Sequence, residues 1–256
     1  MDTSSDAKRV CLITGGARGI GLATAKAMVQ DGWRIALADR DAPALDAAKA
    51  ELEADDTETI VLDVANVAET QNGIAALAAR LGRLDGLVNN AGVFRAENLL
   101  DTTEEGFDRL LSVNVKGAYF VLQACARAML SFGNGGVICN IASAAGRSGR
   151  PTQTVYGMTK AAMISLTKSA AIALAPQIRV TCVCPAAIET DMWTQTLSER
   201  RAVSGDKDIE ALFARIPLGR SARVDELANV IAFLCSDKAS FVTGGSVDVS
   251  GGLDMH

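Results

Sequence analysis

Histidine is almost missing from this chain: of 256 residues only His256, the last, is one. A terminal residue is rarely held rigidly, so imidazole catalysis has no support. Aromatic residues are scarce, at 4%. No apolar run approaches the roughly 18 residues that a membrane span requires, so no membrane association is expected. No cluster of five or more basic residues occurs and the net charge is −5, which gives nucleic acid no electrostatic footing. The N-terminal stretch MDTSSDAKRV is polar and has no signal-peptide core. Cysteines number six: Cys11, Cys125, Cys139, Cys182, Cys184 and Cys235. They sit mostly in apolar runs such as VCLIT and GGVICNIA, as small buried hydrophobes of a reducing compartment do, and a cytoplasmic location is expected. Cys182 and Cys184 stand two apart on a predicted strand and point the same way. With no second pair and no histidine cluster beside them, no metal is expected.

Against these absences stands a strong rhythm. Short, continuously apolar runs at 9–14, 34–39, 59–64, 84–90, 136–142, 178–184 and 246–251 read as strands buried on both faces. Amphipathic stretches at about 19–31, 42–54, 67–81, 103–132, 154–175 and 224–236 read as helices between them. The alternation predicts a single-domain α/β Rossmann fold over 1–256, a doubly wound, seven-stranded parallel sheet with helices on both faces. Only residues 186–223 break the rhythm, and a lid over the sheet edge is expected there. The stretch VYGMTKAAMISLTKSAAIALA is small or apolar around most of its circumference. Such a helix is buried on more than one side, so a homodimer or homotetramer is expected through the helices at 103–132 and 154–175.

The first strand runs into TGGARGIG, residues 14–21. Gly15, Gly19 and Gly21, with Arg18 and Ile20 between them, lie at a strand–turn–helix junction. Glycines there permit a tight turn and close approach of a pyrophosphate, which the helix N-terminus then attracts. Asp39 closes the second strand, 18 residues beyond Gly21. A carboxylate in that place can accept hydrogen bonds from the adenosine ribose hydroxyls and would repel a 2′-phosphate, which favours NAD over NADP. Arg18 and Arg40 point the other way, since both could attract that phosphate. Tyr156 and Lys160 lie one helical turn apart, so phenol and ammonium can converge.

TGGARGIG, Asp39, LDV at 62–64, NNAG at 89–92, NVKG at 114–117, Ser143 and YGMTK at 156–160 together resemble the short-chain dehydrogenase/reductases. The resemblance runs from about residue 9 to 252. It implies an adenine site at Asp63 and Val64, and a cofactor wall at Asn90, Ala91 and Gly92. It also implies a catalytic tetrad of Asn114, Ser143, Tyr156 and Lys160. Pro185, Ile188 and Thr190 resemble the segment that anchors the nicotinamide amide and the pyrophosphate. One departure is visible: the family usually has Pro-Gly where this chain has Pro185-Ala186. The added methyl is expected to alter the carbonyl pocket, since alanine cannot freely take glycine-only backbone angles.

The implied chemistry is hydride transfer between a secondary alcohol and the cofactor. A free tyrosine titrates near pH 10, too high for a base at neutral pH. The Lys160 ammonium and the positive nicotinamide ring are expected to lower it. Ser143 would hold the substrate oxygen, and Tyr156 would take or give the proton. Lys160 would also hold the nicotinamide ribose, and Asn114 would break a helix and carry a proton path by the same resemblance. Substrate contacts are expected from Ser143, Tyr156 and Ala186. Arg95, Arg147 and Arg150 are candidates for recognising a carboxylate, phosphate or polyhydroxy substrate, or are solvated surface. Trp193 and Met192 lie where the lid would close, as substrate contacts or as packing. The expected reaction is NAD-dependent oxidation of a polyol, sugar or hydroxy acid. A 3-oxoacyl-thioester reductase using NADPH and a non-catalytic NAD-binding regulatory protein are the alternatives.

Overall fold

The computed structural model describes residues 8–204, 211 and 214–255. The runs read as strands form one parallel sheet in the order β3-β2-β1-β4-β5-β6-β7. Its strands are β1 Val10–Thr14, β2 Arg34–Asp39, β3 Glu58–Val61, β4 Gly86–Asn89, β5 Gly136–Ile141, β6 Ile178–Pro185 and β7 Ser246–Val249. The order reverses between β1 and β4, so their connections leave to opposite sides and open a crevice at the carboxyl edge.

Helices cover both faces. On one lie α1 Gly19–Gln30, α2 Ala42–Leu52 and α8 Val224–Cys235, which bury Met28, Leu45 and Ile231 against the sheet. On the other lie α3 Val67–Leu81, α5 Ala118–Phe132 and α6 Thr154–Leu174, which bury Ile74, Val121 and Ala171. Two sandwiched cores explain why the strands carry apolar residues at every position rather than at alternate ones. Helix ends follow local chemistry. Asp41 caps α2 by accepting from Ala44 N at 3.1 Å, and Asn66 caps α3 by accepting from Glu69 N. Gly82 and Gly133 close α3 and α5 in the left-handed conformation.

One expectation needs correction. The stretch 103–132 is not one helix. It divides into α4 Glu104–Leu111, a π-helical turn Ser112–Gly117, and α5. Two backbone approaches hold the turn open. The Asn114 side chain is bonded outside the helix, and a Cβ on Gly117 would lie 2.7 Å from Val64 O. The expected lid is described only in part. It contains α7 Asp191–Ser204 and a bridge from Ile188 to Ala222, while much of 205–213 lies outside the described residues, as does His256.

Candidate active site

A cavity of about 470 Å³ opens at the carboxyl edge of the sheet, where the strand order reverses. One end is the glycine loop. Gly15 and Gly19 adopt φ of +61° and +54°, which only glycine takes freely. A Cβ on Gly21 would come within 2.2 Å of Gly15 O, so the loop can fold over the start of α1 only without one. Asn90 fastens the loop to the end of β4: its Nδ2 donates to Thr14 O at 2.9 Å and to Gly15 O at 3.0 Å. The Thr14 hydroxyl returns two bonds, accepting from the backbone N–H of Asn90 and of Ala91 at 3.0 Å each. The result is a rigid backbone cradle at a helix N-terminus, the setting that binds a pyrophosphate. A dinucleotide fits these residues.

Asp39, Arg40, Asp63 and Val64 line the cavity beyond the loop, as do Arg18 and Ile20. The Asp39 carboxylate accepts from Asp41 N at 3.2 Å and lies 3.4 Å from Ala17 N. Arg18 does not face outward alone. Its guanidinium pairs with Asp41, a residue the sequence reading passed over, whose carboxyl is held below the usual range mainly by the Ala44 N–H that it caps. Two carboxylates therefore stand beside the one arginine of the loop.

At the other end, β5, α6 and the π turn bring four expected residues together. Tyr156 lies on the first turn of α6, with Ser143, which follows β5, close enough to its phenol to lower the phenol's pKa. Ser143 Oγ also accepts from Ala145 N at 3.1 Å and lies 3.4 Å from Pro185 O. Lys160 is almost wholly buried, with Nζ donating to Ile141 O at 2.9 Å and lying 5.7 Å from the centre of the Tyr156 ring. Asn114 donates to Thr159 Oγ1 at 3.1 Å, and Thr159 donates in turn to Tyr156 O at 2.7 Å. Gly92 lies between them: a Cβ there would be 3.4 Å from Asn114 Oδ1 and 3.6 Å from Lys160 Nζ.

The electrostatics differ from expectation. Burial pushes the Tyr156 phenol up to about 12, offset only in part by Ser143, and Lys160 is not among the groups that shift it. Burial also drives the Lys160 ammonium down to about 8, with Cys182 and Cys184 opposing. Among the chain's own groups, desolvation outweighs the Tyr–Lys attraction.

Pro185, Ala186, Ile188 and Thr190 line the cavity together with Trp193. Ala186 has no glycine-like backbone: the one non-glycine residue with positive φ among those described is Glu53. The methyl is accommodated without strain and acts only through the space it fills. Of Met192 the backbone in α7 is described, but not the side chain.

The arginines are placed apart from one another. Arg150 lines the cavity but pairs with Asp254 at 2.5 Å. Arg147 pairs with Asp248 at 2.6 Å and bonds Ser246. Arg95 lies 3.2 Å from Glu97 and faces a separate cavity beyond Val93 and Phe94. Among the lining residues that escaped the sequence reading are Phe94, which packs edge-on to Tyr156 at 5.0 Å, buried Gln153, and Leu253 near the chain's end. Gln153, three residues ahead of Tyr156, was the one open to inference from position. Cys182 and Cys184 face one side of β6, in the apolar cluster with Ala142 and Met163, and Cys182 Sγ donates to Val183 O at 3.5 Å. Among the described residues no three His, Cys, Asp or Glu side chains converge as metal ligands, and no helix is long and apolar enough to cross a membrane.

Comparison with known proteins adds to this geometry. A family model described as enoyl-(acyl carrier protein) reductase matches residues 15–254. The sorbitol dehydrogenase of Cereibacter sphaeroides is 38% identical over 249 residues, 95% of this chain and 96% of that protein. A 3-oxoacyl-[acyl-carrier-protein] reductase of Thermotoga maritima is 38% identical over 248 residues, 96% of this chain and 97% of that protein. Among solved structures, an NAD⁺-bound xylitol dehydrogenase superimposes with a TM-score of 0.90 at 34% identity, covering 95% of this chain and 98% of that one.

Proposed function

The chain belongs to the short-chain dehydrogenase/reductase family, as an oxidoreductase that uses a nicotinamide cofactor on alcohols and ketones, and we propose that it oxidises a secondary alcohol of the polyol, sugar or hydroxy-acid type with NAD⁺. The observation that carries this reading is the convergence of Ser143, Tyr156 and Lys160 in one cavity with the glycine cradle. Relatives that act on polyols support the substrate class.

The nicotinamide ring supplies the hydride acceptor. The chain's own residues do the rest. Ser143 Oγ holds the substrate oxygen and is itself oriented by Ala145 N. Tyr156 Oη takes the hydroxyl proton in oxidation and returns it in reduction. Lys160 is pinned by Ile141 O beneath the phenol and holds the ribose hydroxyls. Asn114 fixes the turn against which α6 packs. In the adenosine region, Asp39 is the discriminator. It stands next to Asp41, which neutralises Arg18, so a 2′-phosphate would meet the Asp39 carboxylate with the exposed Arg40 alone left to attract it.

A second reading, 3-oxoacyl-thioester reduction with NADPH, is favoured by the Thermotoga relative and by Arg18 in the loop. An assembly is part of the proposal. Tyr119 and Leu130 on α5, and Met158 and Ile172 on α6, leave apolar side chains exposed on the helices named for a homodimer or homotetramer. We place the protein in the cytoplasm, where six free, buried thiols are at home.

The test is reduced-cofactor formation across polyols, sugars, hydroxy acids, simple secondary alcohols and hydroxyacyl thioesters, with NAD⁺ and NADP⁺ and with Tyr156→Phe as control. Turnover confined to NAD⁺ and lowered about 10²–10⁴-fold in the control is expected. Faster turnover with NADP⁺ on the thioesters would move the assignment to the second reading.

A further inference from the structure

The substrate end of the cavity has charged lining residues, yet its arginine is cancelled from an unexpected quarter. Arg150 presents a guanidinium to this end, 11% exposed, and pairs with Asp254, 6% exposed, at 2.5 Å. Asp254 is 104 residues away in sequence and lies almost at the chain's end. Its other carboxylate oxygen accepts from Ser148 Oγ at 2.5 Å, so the carboxylate clasps two points of the loop between β5 and α6. Arg147 and Arg95, the other cations near this loop, face Asp248 and Glu97. Lys160, in the same cavity, donates to Ile141 O deep in the floor.

The tail does not depend on the Asp254 side chain for its path. Ser250 Oγ donates to Asp254 O at 3.0 Å, and Leu253 N donates to Ser250 O at 3.2 Å. These bonds place Leu253 in the cavity wall and leave the carboxylate for Arg150.

We propose that Asp254 is a specificity-determining residue: by neutralising Arg150 it turns a wall that would bind carboxylates into one that selects uncharged alcohols. The proposal rests on the dehydrogenase reading above and sharpens it, choosing neutral polyols and sugars over hydroxy acids. A desolvated guanidinium released from its partner is a strong carboxylate receptor, because charge-assisted, two-pronged bonds form there at little further desolvation cost. Asp254→Asn keeps the shape and the hydrogen-bonding oxygen but removes the charge.

The test has two arms. The first reads binding without turnover: thermal unfolding of the full-length protein with NAD⁺, with and without malonate as a simple carboxylate probe. Malonate should stabilise Asp254→Asn, and should leave unchanged both the wild type and the Arg150→Gln/Asp254→Asn double variant. The second compares butane-2,3-diol with 3-hydroxybutyrate, which both carry a secondary alcohol but differ in charge. The ratio of kcat/KM for the acid over the diol should rise by about 10- to 100-fold in Asp254→Asn, through KM, and fall back in the double variant. A purely structural Asp254 would lower both activities together and leave the ratio fixed, which overturns the proposal. So does a malonate shift that is equal in wild type and Asp254→Asn, or that survives in the double variant. Should Asp254→Asn not fold, Asp254→Ser makes the same comparison. Failure of the wild type on every alcohol would count against the dehydrogenase reading, while the malonate arm still decides this one.

Discussion

Asn114 and Val93 are joined by two hydrogen bonds running in opposite directions: Val93 N donates to Asn114 Oδ1 at 2.8 Å, and Asn114 Nδ2 donates to Val93 O at 2.9 Å. A carboxamide does both at once, with its acceptor and its donor on separate atoms of one plane. The pair ties the loop after β4 to the π turn, and Asn114 Nδ2 also reaches Thr159, one residue before Lys160.

Replacing Asn114 by Ala strands a backbone donor and a backbone acceptor. The expected cost is about 1–3 kcal/mol, read by thermal or denaturant unfolding, with a fall in kcat as the turn relaxes. Asn114→Asp keeps the acceptor for Val93 N but sets a carboxylate against Val93 O. It should not recover the stability at neutral pH. Equal stability of Asp and Asn at this position would show that only the first bond matters.

Cofactor choice should depend on Asp41 as well as on Asp39. Asp39→Ser removes the carboxylate at the end of β2, but Arg18 stays paired with Asp41. Asp41→Asn in the same chain frees Arg18 to meet a phosphate. The kcat/KM ratio for NADP⁺ over NAD⁺ should rise in the single variant and by a further factor of about 10 in the double, near the net worth of one charge-assisted bond. No further gain from Asp41→Asn would mean that the exposed Arg18 exchanges partners freely.

Gly21 is a sharper test of the cradle than Gly15 or Gly19, because its constraint is contact rather than φ. A methyl at 2.2 Å from Gly15 O has to push backbone aside. Gly21→Ala should weaken NAD⁺ binding measured by calorimetry and lower stability by about 1–3 kcal/mol. Gly149→Ala is the matching control. Nothing lies within 4 Å of its added carbon and its φ is not in the left-handed region, so little change is expected.

What was legible in the sequence was whatever local chemistry determines. Strands buried on both faces announce themselves as unbroken apolar runs, so RIALAD and GVICNI read correctly as β2 and β5. Glycines and capping residues mark their own turns. The π turn was not legible from periodicity, and the resemblance alone marked Asn114 as a helix break: what holds it comes from Val93 and Val64, which lie 21 and 53 positions away from Asn114 and Gly117. The fate of the arginines was hidden for the same reason. Arg150 was a candidate substrate receptor or solvated surface because its segment lies between a strand end at the carboxyl edge and α6; nothing near it in sequence is acidic, and its partner arrives with a tail whose path β7 sets. The expected lowering of Tyr156 by Lys160 failed because spacing gives proximity but not burial, and burial dominates both groups.

Lys160 carries a cost that the fold can reveal directly. Its ammonium is buried, and its pKa falls from 10.5 to about 8, so the unfolded chain holds that proton more tightly than the folded one. At pH 7 both states bind the proton and the folded state bears the full desolvation cost, roughly 3 kcal/mol at 1.36 kcal/mol per unit. As pH rises from 8 towards 10.5 the folded state sheds its proton first and that cost disappears. Lys160→Met removes the titration. It loses the bond to Ile141 O, which offsets part of the gain, and should abolish most turnover. The expected result is a variant no less stable than the wild type at pH 7. On raising the pH to 10.5 the wild type should gain on it by about 2–3 kcal/mol, measured by denaturant unfolding at each pH. Tyr156 is present in both chains and largely cancels from the difference. A gap that stays constant from pH 7 to 10.5 would mean that Lys160 titrates as it does in water, and that its ammonium is stabilised in the floor of the site rather than merely confined there.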